Sequence, residues 1–78
     1  MPISAVVLEV KPGDEKLVAE SISKIPCVDI QEIGIKHITV TTDTQRSEED
    51  KALTSALERL PNVLSAQVVF TNMEDCIN

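Results

Sequence analysis

The side chains of this sequence able to do nucleophilic, acid–base or metal chemistry are few: one histidine, His37, two cysteines, Cys27 and Cys76, and Ser47 at the head of an acidic run. Catalysis needs such a group beside partners that tune it. His37 opens a stretch, His37 to Thr42, in which Ile38 and Val40 alternate with His37, Thr39 and Thr41. The alternation sets His37 on the face opposite the apolar pair, with no carboxylate spaced to orient it along the same strand. It reads as an exposed contact residue. Cys27 and Cys76 stand far apart, in no Cys-x-x-Cys or ligand-like spacing, which excludes a zinc site or a disulfide framework. Cys27 is expected to be a small buried apolar residue and Cys76 a free thiol in the tail. Gly13 and Gly34 are the only glycines and are well separated, so no glycine-rich loop cradles a phosphate. Ser47-Glu48-Glu49-Asp50 has the form of a helix cap, the serine hydroxyl accepting from the Asp50 amide, with a phosphorylation site as the alternative. No catalytic residue, metal or cofactor is expected.

The elements that position these groups follow from hydrophobic periodicity. Ile3 to Val10 is an almost continuous apolar run rich in β-branched residues, a central strand apolar on both faces. Pro12, Asp14 and Glu15 start a helix over 13–25, with Leu17, Val18, Ser21, Ile22 and Ile25 on one stripe, and Pro26 ends it. Cys27 to Ile33 and His37 to Thr42 are half-buried strands hairpinned at Gly34. A second helix over 47–60 carries Ala52, Leu53, Ala56, Leu57 and Leu60, and Pro61 ends it. In the last strand, Val63 to Thr71, Leu64, Ala66, Val68 and Phe70 alternate with Ser65, Gln67, Val69 and Thr71. Asn72 to Asn78 is a polar tail, expected to be frayed.

The two halves echo each other at a constant offset: Ile25-Pro26-Cys27-Val28 answers Leu60-Pro61-Asn62-Val63, and the helical stripes align with them. Two βαβ units joined by a hairpin predict an α+β, ferredoxin-like βαββαβ fold. In that fold a four-stranded antiparallel sheet of order 4-1-3-2 carries both helices on one face. The whole chain, 1–78, is then one domain with its core in 3–71. Metal carriers of this fold place two cysteines just after the first strand; here that stretch is Val10-Lys11-Pro12-Gly13-Asp14.

With both helices on one face, the other is open, and function is expected there. The alternation assigns Asp29, Gln31, Ile33, His37, Thr39, Thr41, Ser65, Gln67 and Val69 to it. The first strand supplies either Ser4, Val6 and Leu8 or Ala5 and Val7. Both sets are apolar, so some apolar side chains must face outward, as at an interaction site. A homodimer packed face to face through this surface is one alternative. Thirteen acidic residues against seven basic give a formal charge of −6, which repels nucleic acid and anionic membrane and attracts a basic partner. A lone aromatic, Phe70, leaves no platform for stacking bases. The start of the chain has no basic region followed by a long apolar run, and no stretch is long and apolar enough to span a membrane, so a cytoplasmic protein is expected.

Ser4-Ala5-Val6-Val7 resembles the Ser-Leu-Val-Val opening of the NapD family, cytoplasmic chaperones for periplasmic nitrate reductase. Ile25-Pro26-Cys27-Val28 is similar to that family's Leu/Phe-Pro-Gly-Val. Leu60 to Ala66, followed by Val68-Val69-Phe70, resembles its closing Val-x-Gly-Val-Leu-Ser-Ala-x-Leu-Val-Tyr. The match spans about residues 3–71 in the family's order, with Cys27 and Asn62 standing where the family has glycines. The resemblance implies a chaperone, not an enzyme. It would bind the twin-arginine signal peptide of the molybdenum-containing catalytic subunit and prevent export before the cofactor is inserted. It further suggests Ser4, Val6 and Leu8 as the outward set of the first strand. The implied peptide-binding face is then Ser4, Val6, Leu8, His37, Thr39, Thr41, Ser65, Gln67 and Val69. The rival reading is a regulatory module of the same fold that binds a small ligand, or one that only dimerises.

Overall fold

A computed structural model of the chain describes residues 3–72. The elements run β1 (Ile3–Val10), α1 (Glu15–Ser23), β2 (Val28–Ile33), β3 (His37–Asp43), α2 (Ser47–Glu58) and β4 (Val63–Asn72). The strands form one antiparallel sheet of order β2-β3-β1-β4, the expected 4-1-3-2 read from the opposite edge. α1 packs mainly over β2, and α2 over β4 and β1, giving the ferredoxin-like layer of helices on one side of the sheet. Between the layers lies a core of aliphatic side chains. Val6, Leu8, Val10, Ile38 and Val40 come from the sheet, Val18, Ala19 and Ile22 from α1, and Leu57 from α2.

Both helices stop short of the residues expected to end them. Ile25 and Leu60 each precede a proline, whose ring pushes the preceding residue out of the α region. α1 therefore ends at Ser23 and α2 at Glu58, although Ile25 and Leu60 still pack against the core. At the other end α1 begins at Glu15, with Asp14 as its cap. The cap of α2 lies one residue earlier than expected. Arg46, in extended conformation, holds the cap position, and Ser47 is the first helical residue. Glu49 closes the cap by accepting the Arg46 backbone N–H at 3.1 Å. This shift releases Asp50 from capping.

Cys27 and Asn62, each directly before a strand, take positive φ angles of 68° and 71°. The turns have the left-handed geometry that suits glycine, even though neither residue is one. Asparagine tolerates this region; for cysteine the cost is about 1–2 kcal/mol. Cys27 is exposed, contrary to its expected burial, because the left-handed turn swings it away from the core. Cys76 lies outside the described residues.

A third left-handed residue, Lys36, turns the β2–β3 hairpin at φ 66°. Its backbone N–H donates to the Glu15 carboxylate at 2.8 Å, tying the start of α1 to the hairpin. That bond, helped by other backbone amides, holds the Glu15 carboxyl below its ordinary range. A carboxyl whose pKa is lowered on folding stabilises the protein above its unfolded value, and the contribution is lost as pH falls through the folded value. An NMR titration is expected to show the Glu15 carboxyl and the Lys36 amide sharing one midpoint, below the ordinary value of a glutamate. In Glu15→Gln the Lys36 amide loses that inflection. A Lys36 amide that does not titrate in the parent would contradict the tie.

Candidate ligand-binding face of the sheet

The register decides which side chains the open face carries. Val6 stands opposite Val40 and Leu8 opposite Ile38, all fully buried beneath the helices. The outward residues of β1 are therefore Ile3, Ala5, Val7 and Glu9, and those of β3 are His37, Thr39, Thr41 and Asp43. Ser4, Val6 and Leu8, expected on the open face, lie on the helix side at 0% exposure and cannot meet a ligand on the other.

What turns β1 this way is a buried polar network. Asp50 of α2, only 5% exposed, points into the sheet. Its Oδ2 accepts the Ser4 hydroxyl at 2.5 Å and its Oδ1 the Thr42 hydroxyl at 2.5 Å. The Ser4 and Thr71 hydroxyls lie 3.1 Å apart, which extends the network to β4. A buried carboxylate is tolerable only with such partners. The three residues thus fix α2 to β1 and β3 and commit Ser4, and with it Val6 and Leu8, to the helix side.

Three register slips alter the outer strands, two in β4 at Val69 and Leu64 and one in β2 at Gln31. In β4 the register slips between Ala5 and Val6, so Phe70 stands opposite Ala5 and Val68 opposite Val6, with Val69 as the extra residue. Phe70, expected on the core side, joins Ala5 on the open face at 58% exposure; Val69 is also exposed. Ser65 and Gln67 face outward as expected, opposite Glu9 and Val7. In β2 the slip falls at Gln31: Asp29 stands opposite Thr41, Glu32 opposite Thr39, and Ile33 opposite Ile38. Ile33 therefore shares the helix-side face of Ile38, and Glu32 takes the outward place expected of it. Gln31 still reaches the open face, its Nε2 donating to the Thr41 hydroxyl at 3.0 Å.

The resulting face has a distinct chemistry. Ala5 and Val7, both half-buried, form its centre, with Ile3, Val69 and Phe70 continuing the apolar surface. The strands contain four carboxylates, Glu9, Asp29, Glu32 and Asp43, and all four are outward in register. No strand carries a lysine or arginine; all seven lie in helices, turns and loops. The segregation is legible in the sequence, where strand residues can be sorted by charge before their faces are known. His37 is exposed beside Glu9, its Nδ1 3.1 Å from the Ile35 carbonyl, and Glu9 accepts the Ser65 hydroxyl at 3.2 Å. Neither contact forms an activated acid–base pair. Among the described residues no three His, Cys, Asp or Glu side chains converge as metal ligands would.

Ala52 and Ala56, on the stripe of α2 expected to face the core, are exposed. With Leu53, Pro26, Cys27, Asp43 and Glu49 they line an open groove of about 700 Å³ beside the β3–α2 connection. Among the described residues no helix is long and apolar enough to cross a membrane.

The fold is shared with the solution structure of the E. coli Tat proofreading chaperone protein NapD, at a TM-score of 0.83 and 13% sequence identity, covering 97% of this chain and 82% of that one. No curated protein sequence matches the chain. The model of the NapD protein family matches residues 1–75, almost its full length. A match of that breadth shows that the chain belongs to the NapD family.

Proposed function

We propose that this protein holds the twin-arginine signal peptide of the catalytic subunit of a periplasmic nitrate reductase. It does so in the cytoplasm, delaying export until the molybdenum cofactor is in place. Family membership and the likeness to a Tat proofreading chaperone support the reading. The observation that carries it is the open sheet face, where an apolar centre is edged by all four strand carboxylates and no strand contributes a lysine or arginine. A twin-arginine peptide has the complementary makeup, a basic head followed by an apolar stretch, and as a helix it can lay that stretch on an apolar surface. The carboxylates attract the head, and the net charge of −6 speeds encounter while disfavouring nucleic acid and anionic membrane. The role is one of binding, with no catalytic group. His37, Thr39, Thr41, Ser65, Gln67 and Val69 remain candidate contacts, joined by Ala5, Val7 and Phe70.

Calorimetric titration with a peptide carrying Arg-Arg and its apolar stretch, beside Lys-Lys and Ala-Ala versions, tests the proposal. The Arg-Arg peptide is expected to bind at micromolar concentration or tighter and to exceed the Lys-Lys form, whose point charges lack the guanidinium fork. The advantage over Ala-Ala is expected to shrink with added salt. Absence of binding at micromolar concentration would refute the proposal. Sedimentation showing dimers would then favour face-to-face self-association.

A further inference from the structure

We infer that the open face is polarised, and that it orients its peptide with the arginines over β2 and β3 and the apolar stretch over β1 and β4. This rests on the function proposed above and adds direction to it. The face divides along the sheet. On one half, Asp29 and Glu32 of β2 and Asp43 of β3 are exposed and outward. Asp29 stands opposite Thr41 and Asp43 lies two residues beyond Thr41, so the two residues are diagonal neighbours, their backbones about 7–8 Å apart. That spacing lets each take one guanidinium of an adjacent pair without forcing the arginines together. On the other half, β1 and β4 present Ala5, Val7 and Phe70 with the neutral Ser65 and Gln67, and Val69 is exposed at the bulge beside them. The fourth carboxylate, Glu9, sits at the far end of β1 and is already engaged by Ser65. Guanidinium groups and apolar side chains thus have separate destinations, and a peptide laid across the strands satisfies both in only one direction.

A nitroxide label placed just before the arginine pair reads that direction in isotope-labelled parent protein. Bound peptide is expected to broaden the amides of Asp29 to Glu32 and Thr41 to Asp43 and to spare Ser65 and Gln67. A second measurement uses the variant Asp29→Asn/Glu32→Gln/Asp43→Asn, whose changes are at exposed positions. Exposed carboxylate contacts contribute about 1.4- to 5-fold each in affinity, so the variant is expected to bind the Arg-Arg peptide about tenfold or more weakly while binding the Ala-Ala peptide as the parent does. Broadening centred on β4, or a variant that keeps the full Arg-Arg preference, overturns the orientation and leaves peptide binding itself intact. Failure of the parent to bind any peptide overturns both.

Discussion

Replacing Asp50 by alanine is expected to destabilise the protein by about 3 kcal/mol or more, a large share of what a domain of this size possesses. The carboxylate accepts two hydroxyls, from Ser4 and Thr42, at sites that are fully buried. Hydrogen bonds to a charged group contribute about 1.5–3 kcal/mol each, and removing the acceptor also leaves the donors desolvated and unpaired. Ser4 keeps Thr71 as a neighbour, but Thr42 is left without a side-chain acceptor. Urea denaturation followed by circular dichroism measures the loss as a lower midpoint. Combining Asp50→Leu with Thr42→Val and Ser4→Ala is expected to recover much of it, because the polar partners then disappear together. A midpoint for Asp50→Ala within about 0.5 kcal/mol of the parent would mean that the network is not what fixes α2 to the sheet.

The neighbouring pair Val6 and Val7 should behave in opposite ways. Val6 is at 0% exposure in the core, and Val6→Asp would put a charge among Leu57, Val40 and Leu8. Burying an unpaired carboxylate costs several kcal/mol, enough to unfold a domain with so thin a core. Val7 is half-buried at the centre of the open face, where an aspartate keeps access to water. Val7→Asp is therefore expected to stay folded by circular dichroism yet bind the twin-arginine peptide at least tenfold more weakly, since its charge would be desolvated beneath the apolar stretch. If folded Val7→Asp binds as tightly as the parent, the peptide does not lie across the face, and the exposed edge of β4 becomes the better site.

Much of this molecule was legible in the residue string because periodicity reports which elements form. The period-two runs and the 3.6-residue stripes, doubled about Ile25-Pro26 and Leu60-Pro61, dictate two βαβ units and hence the strand order. The scarcity of nucleophiles and the scattered glycines argue against catalysis, and the strands' lack of lysine and arginine marks the charge of their shared face. What the string cannot specify is the face of β1. Ser4, Val6 and Leu8 are as apolar a set as Ala5 and Val7, so alternation carries no signal; the choice was made by Asp50, which reaches in from α2, distant in sequence, and binds Ser4 and Thr42. Nor does alternation survive a bulge. One extra residue at Val69 moved Phe70 to the open face, and one at Gln31 moved Ile33 off it, because a single-residue slip inverts every side chain beyond it. Such slips answer to the partner strand and the turn geometry, and these exist only once the chain has folded.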